Sequence, residues 1–216
     1  MGEKDFQNEF LDRYLELNSS PEPALLQELR NRTSEEFSQH HMISGHVQGR
    51  FLSIISKLIQ AEHILEIGTF TGYATLCLAE GLDQNGKITT LDINADLQDF
   101  YLPFFSKSGF APQINAVIRD AIEYLEETNE MYDLVFLDAN KKQYIDYFEL
   151  LVPKLKSNAV ILADNTLWKG KVLEEIDYKD KMTKALFDFN QYVVNDERVD
   201  VILLPLRDGI SLIRKK

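Results

Sequence analysis

Residues 63–73 read His63-Ile64-Leu65-Glu66-Ile67-Gly68-Thr69-Phe70-Thr71-Gly72-Tyr73, a short apolar run that ends in a glycine turn and opens into an apolar helical stretch. An apolar run of this length before such a turn reads as a buried strand, and a strand feeding directly into a helix begins a crossover unit. The alternation repeats down the chain: Lys87–Asp92, Ile114–Ile118, Tyr132–Asp138 and Ala159–Asp164 are the further strands, with helix-length segments between them. Strands and helices alternating in this way build a parallel sheet covered on both faces. The expected fold class is therefore α/β, a doubly wound and mostly parallel sheet. The tail departs from the pattern, because only residues 205–209 separate Val199–Leu204 from Ile210–Arg214. That is too short for a parallel crossover, so the last two strands should pair as an antiparallel hairpin.

Upstream of residue 63 the texture is helical. Phe6, Phe10, Leu11, Tyr14, Leu15 and Leu17 recur at helical spacing until Ser19-Ser20-Pro21 ends the run. A short helix carrying Leu25, Leu26 and Leu29 follows. Ser44 is the expected N-cap of a third helix whose apolar face is Val47, Phe51, Ile54, Ile55 and Leu58. No internal repeat or linker interrupts the chain. Residues 1–216 are thus expected to form one domain, with 1–60 as a helical cap and 61–216 as the α/β core.

Hydrophobic residues make up 44% and charged residues 27% of the 216, a globular composition. No apolar run approaches the roughly 18 residues of a membrane span. The N-terminus lacks a basic segment followed by an apolar one, and the single cysteine, Cys77, reads as core packing in a reducing compartment. A cytoplasmic protein is the expectation. The net charge of −12 argues against nonspecific binding to nucleic acid, where neutralised phosphates supply most of the affinity. Lys169, Lys171, Lys179, Lys181 and Lys184 come nearest to a basic patch, but Glu174, Glu175, Asp177 and Asp180 are interleaved with them. That mixture is a solvated face.

Two ends of the sheet carry candidate chemistry. Gly68 and Gly72, four apart at a strand-to-helix turn, let the backbone approach a ligand closely. The loop is neither Gly-x-Gly-x-x-Gly nor a phosphate loop, which argues against a dinucleotide or ATP. Asp92 ends the second strand twenty residues beyond Gly72, where a carboxylate can accept hydrogen bonds from two ribose hydroxyls. Glu66 adds negative charge before the first glycine. Preference for a cation over a pyrophosphate points to a sulfonium cofactor. At the other end, the fourth strand finishes Leu137-Asp138-Ala139-Asn140-Lys141 and the fifth Ala163-Asp164-Asn165-Thr166-Leu167-Trp168. Adjacent parallel strands lie about 4.8 Å apart, so Asp138 and Asp164-Asn165 should converge at the carboxyl edge. Two carboxylates and an amide oxygen are hard donors that suit Mg²⁺, Mn²⁺ or Ca²⁺ and not zinc.

These segments resemble the class I S-adenosylmethionine-dependent O-methyltransferases of the caffeoyl-CoA and catechol type, and the resemblance runs over nearly the whole chain. Asp138-Ala139-Asn140-Lys141-Lys142-Gln143-Tyr144 is similar to that family's Asp-Ala-Asp-Lys-x-x-Tyr segment, and Asp164-Asn165-Thr166-Leu167-Trp168 matches its Asp-Asn-Thr-Leu-Trp segment unchanged. Leu204-Pro205-Leu206-Arg207-Asp208-Gly209-Ile210 resembles its closing hairpin, and Met42 to Gly49 stands in the place of a stretch near cofactor and substrate. The resemblance implies a Rossmann-like sheet of order 3-2-1-4-5-7-6 and a homodimer. It implies cofactor contacts from Glu66, Gly68, Thr69, Asp92 and Ala121, with Met42, Ser44, Gly72, Asp120 and Asp138 joining them. It also implies a metal held by Asp138, Asp164 and Asn165. Gln48, Ala74, Asn140 and Lys169 depart from the family pattern. Lys169 replaces an asparagine near the substrate, and the N-terminus carries no matching motif, which together argue against a coenzyme A thioester acceptor.

The expected reaction is transfer of a methyl group from S-adenosylmethionine to a hydroxyl of a metal-chelated, catechol-like small molecule. Lys141 is the candidate general base, because a nearby divalent ion disfavours its ammonium form and lowers its pKa. Tyr144 and Trp168 are the candidate walls of the acceptor pocket. Two other functions remain open on the sequence: methylation of a hydroxylated uridine in tRNA, and a non-enzymatic, cofactor-binding regulatory domain.

Overall fold

A computed structural model of the chain describes residues 9–216. Phe6, the first member of the N-terminal apolar run, lies outside them. Two compact units divide at Arg119 and Asp120. The first carries helices α1 (Glu9–Leu17), α2 (Ala24–Glu36) and α3 (Gly45–Ile59), then strand β1 (His63–Ile67), α4 (Tyr73–Ala79), β2 (Lys87–Asp92), α5 (Gln98–Lys107) and β3 (Ile114–Ile118). The second carries α6 (Ala121–Glu127), β4 (Tyr132–Leu137), α7 (Tyr144–Leu151), β5 (Leu155–Asp164), α8 (Lys181–Val194), β6 (Val199–Leu204) and β7 (Ile210–Lys215). The seven strands follow the order β3-β2-β1-β4-β5-β7-β6, the expected one. Strands β1, β2 and β3 pair in parallel, as do β4 and β5. Strand β7 runs antiparallel to both β5 and β6.

In the first unit, the inward residues of β1 and β2, such as Ile64, Leu65, Ile88 and Leu91, are buried in the core with Tyr101 and Phe104 of α5. In the second, Leu134, Phe136, Ile161 and Ile213 from the strands are buried, as are Phe148 and Phe189 from the helices. Strand β5 starts earlier than the sequence indicated. It begins at Leu155, and the register shifts between Tyr132 and Leu134. The polar residues Lys156, Ser157 and Asn158, the last in a left-handed conformation (φ 64°), conceal that first part of the strand.

Helix α3 is where the sequence reading fails most clearly. Its expected apolar face is not its buried face. Gln48, Gly49, Leu52, Ser53 and Ser56 are buried, whereas Ile54 is 50% and Leu58 75% exposed. The cause is the close approach of α4. A Cβ at Gly49 would lie 2.7 Å from the Tyr73 ring and 2.8 Å from Cys77 Sγ. Ser56 Oγ donates to Leu78 O at 2.7 Å, and Ser53 Oγ and Arg50 donate to Glu80. Small and polar side chains admit the neighbouring helix here. Ser44 does occupy the N-cap position, but its backbone is helical (φ −59°, ψ −33°), so its side chain makes no cap hydrogen bond; a cap needs extended geometry at that residue.

Candidate active site

The glycine turn of the first unit is held from both sides. Gly68 N donates to Leu91 O at 2.9 Å, and Gly72 N to Thr69 O at 2.8 Å. Gly72 adopts φ 82°, and a Cβ there would meet the Phe105 ring at 2.5 Å, so no other residue fits this turn without a shift. Asp92, at the end of β2, accepts Phe70 N on one carboxylate oxygen and Asn94 N on the other, both at 2.9 Å. Each oxygen retains a second lone pair for a ligand hydroxyl. The Thr71 hydroxyl is buried in the same turn without a hydrogen-bond partner among the described residues. A buried orphan hydroxyl in a tight backbone cradle fits a ligand with polar edges.

Glu66 lies on β1 just before Gly68. It is fully buried beneath the turn, where Thr75 and Thr90 donate their hydroxyls to Oε2, the latter at 2.5 Å. Thr69 reaches the same cluster through Thr90, 2.5 Å away. Met42 is exposed on a short helical turn, and Ser44 and Gln48 are buried at the start of α3. Ala74, where the resemblance expects a hydroxyl, is buried in the first turn of α4.

In the second unit, Asp120 caps α6, accepting Ile122 N at 2.8 Å and Glu123 N at 3.2 Å, with Ala121 buried beside it. The ends of β4 and β5 carry a denser arrangement. Lys141 Nζ donates to Asp138 Oδ1 at 2.5 Å and to Tyr144 Oη at 2.9 Å. The Tyr144 hydroxyl lies 3.0 Å from Leu137 O and 3.1 Å from Asp164 O, so it bridges the ends of both strands. Tyr144 is completely buried. Its ring packs in the interior and its hydroxyl braces the two strand ends. Asn140 holds the turn, accepting Lys142 N at 3.3 Å and donating to Gln143 Oε1 at 2.8 Å.

The side chains around Lys141 favour its ammonium form. Burial works to lower its pKa, but Asp138, Tyr144 and Asp164 outweigh burial and hold it above the ordinary lysine value. An ammonium so held donates hydrogen bonds; it is not yet a base. Asp164 is buried and accepts Asn165 N on Oδ1 at 2.7 Å. Asn165, Trp168 and Lys169 all have left-handed backbones (φ 60°, 49° and 55°). Lys169 N donates to Asp208 of the β6–β7 turn. No cluster of three or more His, Cys, Asp or Glu side chains placed to hold a metal occurs among the described residues; the expected donor set has only two carboxylates, with an amide as the third. That set is compatible with a hard cation, since its donors are all oxygens and Asp138 already binds one cation, the Lys141 ammonium.

Thr75, Thr90 and Asp208 carry no role in the sequence reading. Thr90 had a signal, a hydroxyl inside the otherwise apolar run Ile88 to Leu91. Asp208 sat in a matched motif with no chemistry attached.

The strand order with an antiparallel β7, the glycine turn answered by an acid on β2, and the acid pair at the ends of β4 and β5 together define the methyltransferase class. A sequence model of the O-methyltransferase family matches residues 16–216. Caffeoyl-CoA O-methyltransferase 3 of Nicotiana tabacum is 35% identical over 97% of this chain and 91% of its own length. The caffeoyl-CoA O-methyltransferase of Populus kitakamiensis is 34% identical over 97% and 94%. The S-adenosylhomocysteine-bound methyltransferase PaMTH1 of Podospora anserina superposes with a TM-score of 0.89 at 27% identity, covering 100% of this chain and 98% of its own. The O-methyltransferase TomG of Streptomyces achromogenes, in complex with S-adenosylmethionine, gives 0.86 at 25% identity over 100% of both chains. The chain belongs to the O-methyltransferase family, as an S-adenosylmethionine-dependent enzyme of the caffeoyl-CoA O-methyltransferase type.

Proposed function

We propose that this enzyme methylates one hydroxyl of a catechol-like small molecule whose two vicinal oxygens are chelated by a divalent cation, Mg²⁺ before Mn²⁺ or Ca²⁺. The observation that carries the reading is the adjacency of Asp138 and Asp164 at the ends of paired strands β4 and β5, with the Tyr144 hydroxyl bridging Leu137 O and Asp164 O and the Lys141 ammonium bound to Asp138. Asp138, Asp164 and Asn165 would hold the metal, which supplies Lewis-acid stabilisation of the acceptor oxyanion when bound. With Asp138 engaged by the metal, Lys141 would release its ammonium proton to solvent, and the neutral amine would then take the acceptor's proton on Nζ. Tyr144 fixes the position of that Nζ through its hydroxyl.

Gly68, Thr69, Gly72 and Asp92 are the proposed nucleoside cradle, with Glu66 setting its shape from beneath and Met42, Ser44, Asp120, Ala121 and Asp138 as further cofactor residues. Transfer of the methyl breaks its bond to sulfur and forms one to the acceptor oxygen, and it requires the two in line at about 3 Å. Trp168, half-buried on the loop after β5, is the proposed wall of the acceptor site. The plant relatives are named for caffeoyl-CoA, whose caffeoyl group is a catechol; the catechol is what we carry over to this chain. Exposed Lys169 stands where the plant pattern has asparagine and leaves the remainder of the acceptor open.

One family model runs unbroken over residues 16–216, which supports a single methyltransferase domain. We further propose a cytoplasmic homodimer; among the described residues, no helix is long and apolar enough to cross a membrane.

The test is turnover of a vicinal diol such as caffeate before and after chelation. Activity should vanish with EDTA and return with Mg²⁺ or Mn²⁺. Undiminished turnover after exhaustive chelation would rule out the metal assignment.

A further inference from the structure

The turn between β6 and β7 reaches back to the loop that follows β5. Thr166 N donates to Gly209 O at 3.0 Å and Leu167 N to Asp208 O at 2.9 Å. Gly209 adopts φ 88°, and a Cβ there would lie 2.6 Å from Leu167 Cγ and 2.7 Å from Leu167 N, so the two segments are in close backbone contact. The Asp208 side chain then grips both ends of the loop. One carboxylate oxygen accepts Lys169 N, and the other faces Asn165 Nδ2 at 3.4 Å. The loop needs such a grip. Asn165, Trp168 and Lys169 all hold positive φ, and each left-handed non-glycine residue persists only where its surroundings determine it.

The grip on Asn165 has a chemical consequence. A carboxamide presents a donor on one side and an acceptor on the other, and the two ends have nearly the same shape. A carboxylate facing it can only accept, so it selects the NH₂ end and turns the oxygen the other way. A cation requires that oxygen; a flipped amide would present two N–H groups to it.

We propose that Asp208 is a positioning residue that fixes the orientation of the Asn165 carboxamide, and with it the acceptor-side loop from Asn165 to Lys169. The inference rests on the metal reading given above. Residues that orient metal ligands from outside the coordination sphere typically change metal affinity by about 10- to 100-fold when removed.

The experiment measures Mn²⁺ affinity by electron paramagnetic resonance on the full chain, for wild type, Asp208→Ala and Asp208→Asn. Amide hydrogen exchange at Lys169 is followed in parallel without metal. Asp208→Asn nearly keeps the shape and an acceptor for Lys169 N, so it tests the proposal even where the alanine variant fails to fold. Mn²⁺ binding should weaken about 10- to 100-fold in Asp208→Asn, because its own amide no longer dictates which end of Asn165 faces it. The ratio of the two positional methyl products from an unsymmetrical catechol should shift with it. Lys169 exchange should stay slow in Asp208→Asn and become fast in Asp208→Ala. Wild-type Mn²⁺ affinity and product ratio in Asp208→Asn would overturn the proposal. Unchanged Lys169 exchange in a folded Asp208→Ala would overturn the grip itself. A wild-type chain that takes up no Mn²⁺ would instead sink the metal reading and the cation role of Asp208, while the Lys169 exchange still decides the grip.

Discussion

Lys141 is a residue whose charge depends on what its neighbouring carboxylates hold. The sequence places it three residues beyond Asp138, as a base; the structure places it as an ammonium between Asp138, Tyr144 and Asp164, with its pKa raised. A group whose folded pKa stands above the unfolded value contributes stability below the unfolded pKa and loses it as pH rises through the folded one. For Lys141 that loss begins only above the ordinary value of 10.5, so the ion pair stays closed across the neutral range. Lys141→Ala therefore has two expected effects. The chemical step at neutral pH should fall by about 10²–10⁴-fold, the range for a positioned proton acceptor, and should recover in part as rising pH ionises the acceptor unaided. Metal affinity should hold or improve, since no ammonium competes for Asp138. Single-turnover methyl transfer across pH, with Mn²⁺ affinity measured alongside, checks both. A wild-type rate throughout would make Lys141 an ordinary buried lysine, and weakened metal binding would make it structural. Asp138, Asp164 and Asn165 were legible because acids at the carboxyl ends of neighbouring strands must lie near one another. The Glu66, Thr75 and Thr90 cluster was not, because it joins β1, α4 and β2 through hydroxyls that look like ordinary strand and helix residues.

At the scale of elements, the contact between α3 and α4 depends on charge buried at their interface. Glu80 accepts from Arg50 at 2.7 Å and 2.9 Å, from Lys57 at 2.9 Å and from Ser53 at 2.8 Å. Burial alone would raise its pKa, but the donors from Arg50, Lys57 and Ser53 outweigh burial and bring it down to about 2. A carboxylate with a depressed folded pKa contributes stability above its unfolded value, and that stability is lost as pH falls through the folded one. The window here runs from about 4.5 down to about 2. A shift of that size corresponds to a few kcal/mol, on the order of 1.4 per unit. The expected outcome is a midpoint of thermal unfolding that drops steeply between pH 5 and 2 in wild type and much less steeply in Glu80→Gln, which starts lower at pH 7. Parallel pH profiles for the two proteins would show that the Glu80 cluster does not govern acid stability. This contact also explains why the strands were legible and α3 was not. Six of the seven strands, all but β5, start where the sequence reading starts them. In α3, apolar periodicity pointed to one face, while glycine, serine and a buried ion pair decided the other.

The whole molecule carries the consequence of that inversion, because the apolar face of α3 is left outside. Ile54 and Leu58 are exposed there, and Phe10, Tyr14 and Leu17 are exposed on α1, which packs against α3 in the same unit. Exposed large apolar side chains gathered on two neighbouring helices are the kind of surface that protein interfaces use. A second copy is its proposed occupant: a two-fold axis lays one patch on itself, so a single apolar surface suffices for both partners. Charge opposes the association, since each copy carries −12. Long-range repulsion of this kind is screened by salt, with a Debye length of about 10 Å at 0.1 M and about 3 Å at 1 M. Apolar burial is not weakened by salt in the same way. Sedimentation equilibrium should therefore find a homodimer whose dissociation constant tightens as sodium chloride rises from about 0.05 M to about 0.5 M. A dimer held by ion pairs would weaken instead. Leu58→Asp places a charge in the middle of the patch and removes apolar area from both halves at once, because each copy contributes it. It should shift the protein to monomer at micromolar concentration. Its unfolding midpoint, extrapolated to low protein concentration, should match wild type, since Leu58 is already 75% exposed within the chain. A wild-type chain that sediments as a monomer at all concentrations would exclude the dimer. A Leu58→Asp variant that stays dimeric would place the interface on another face.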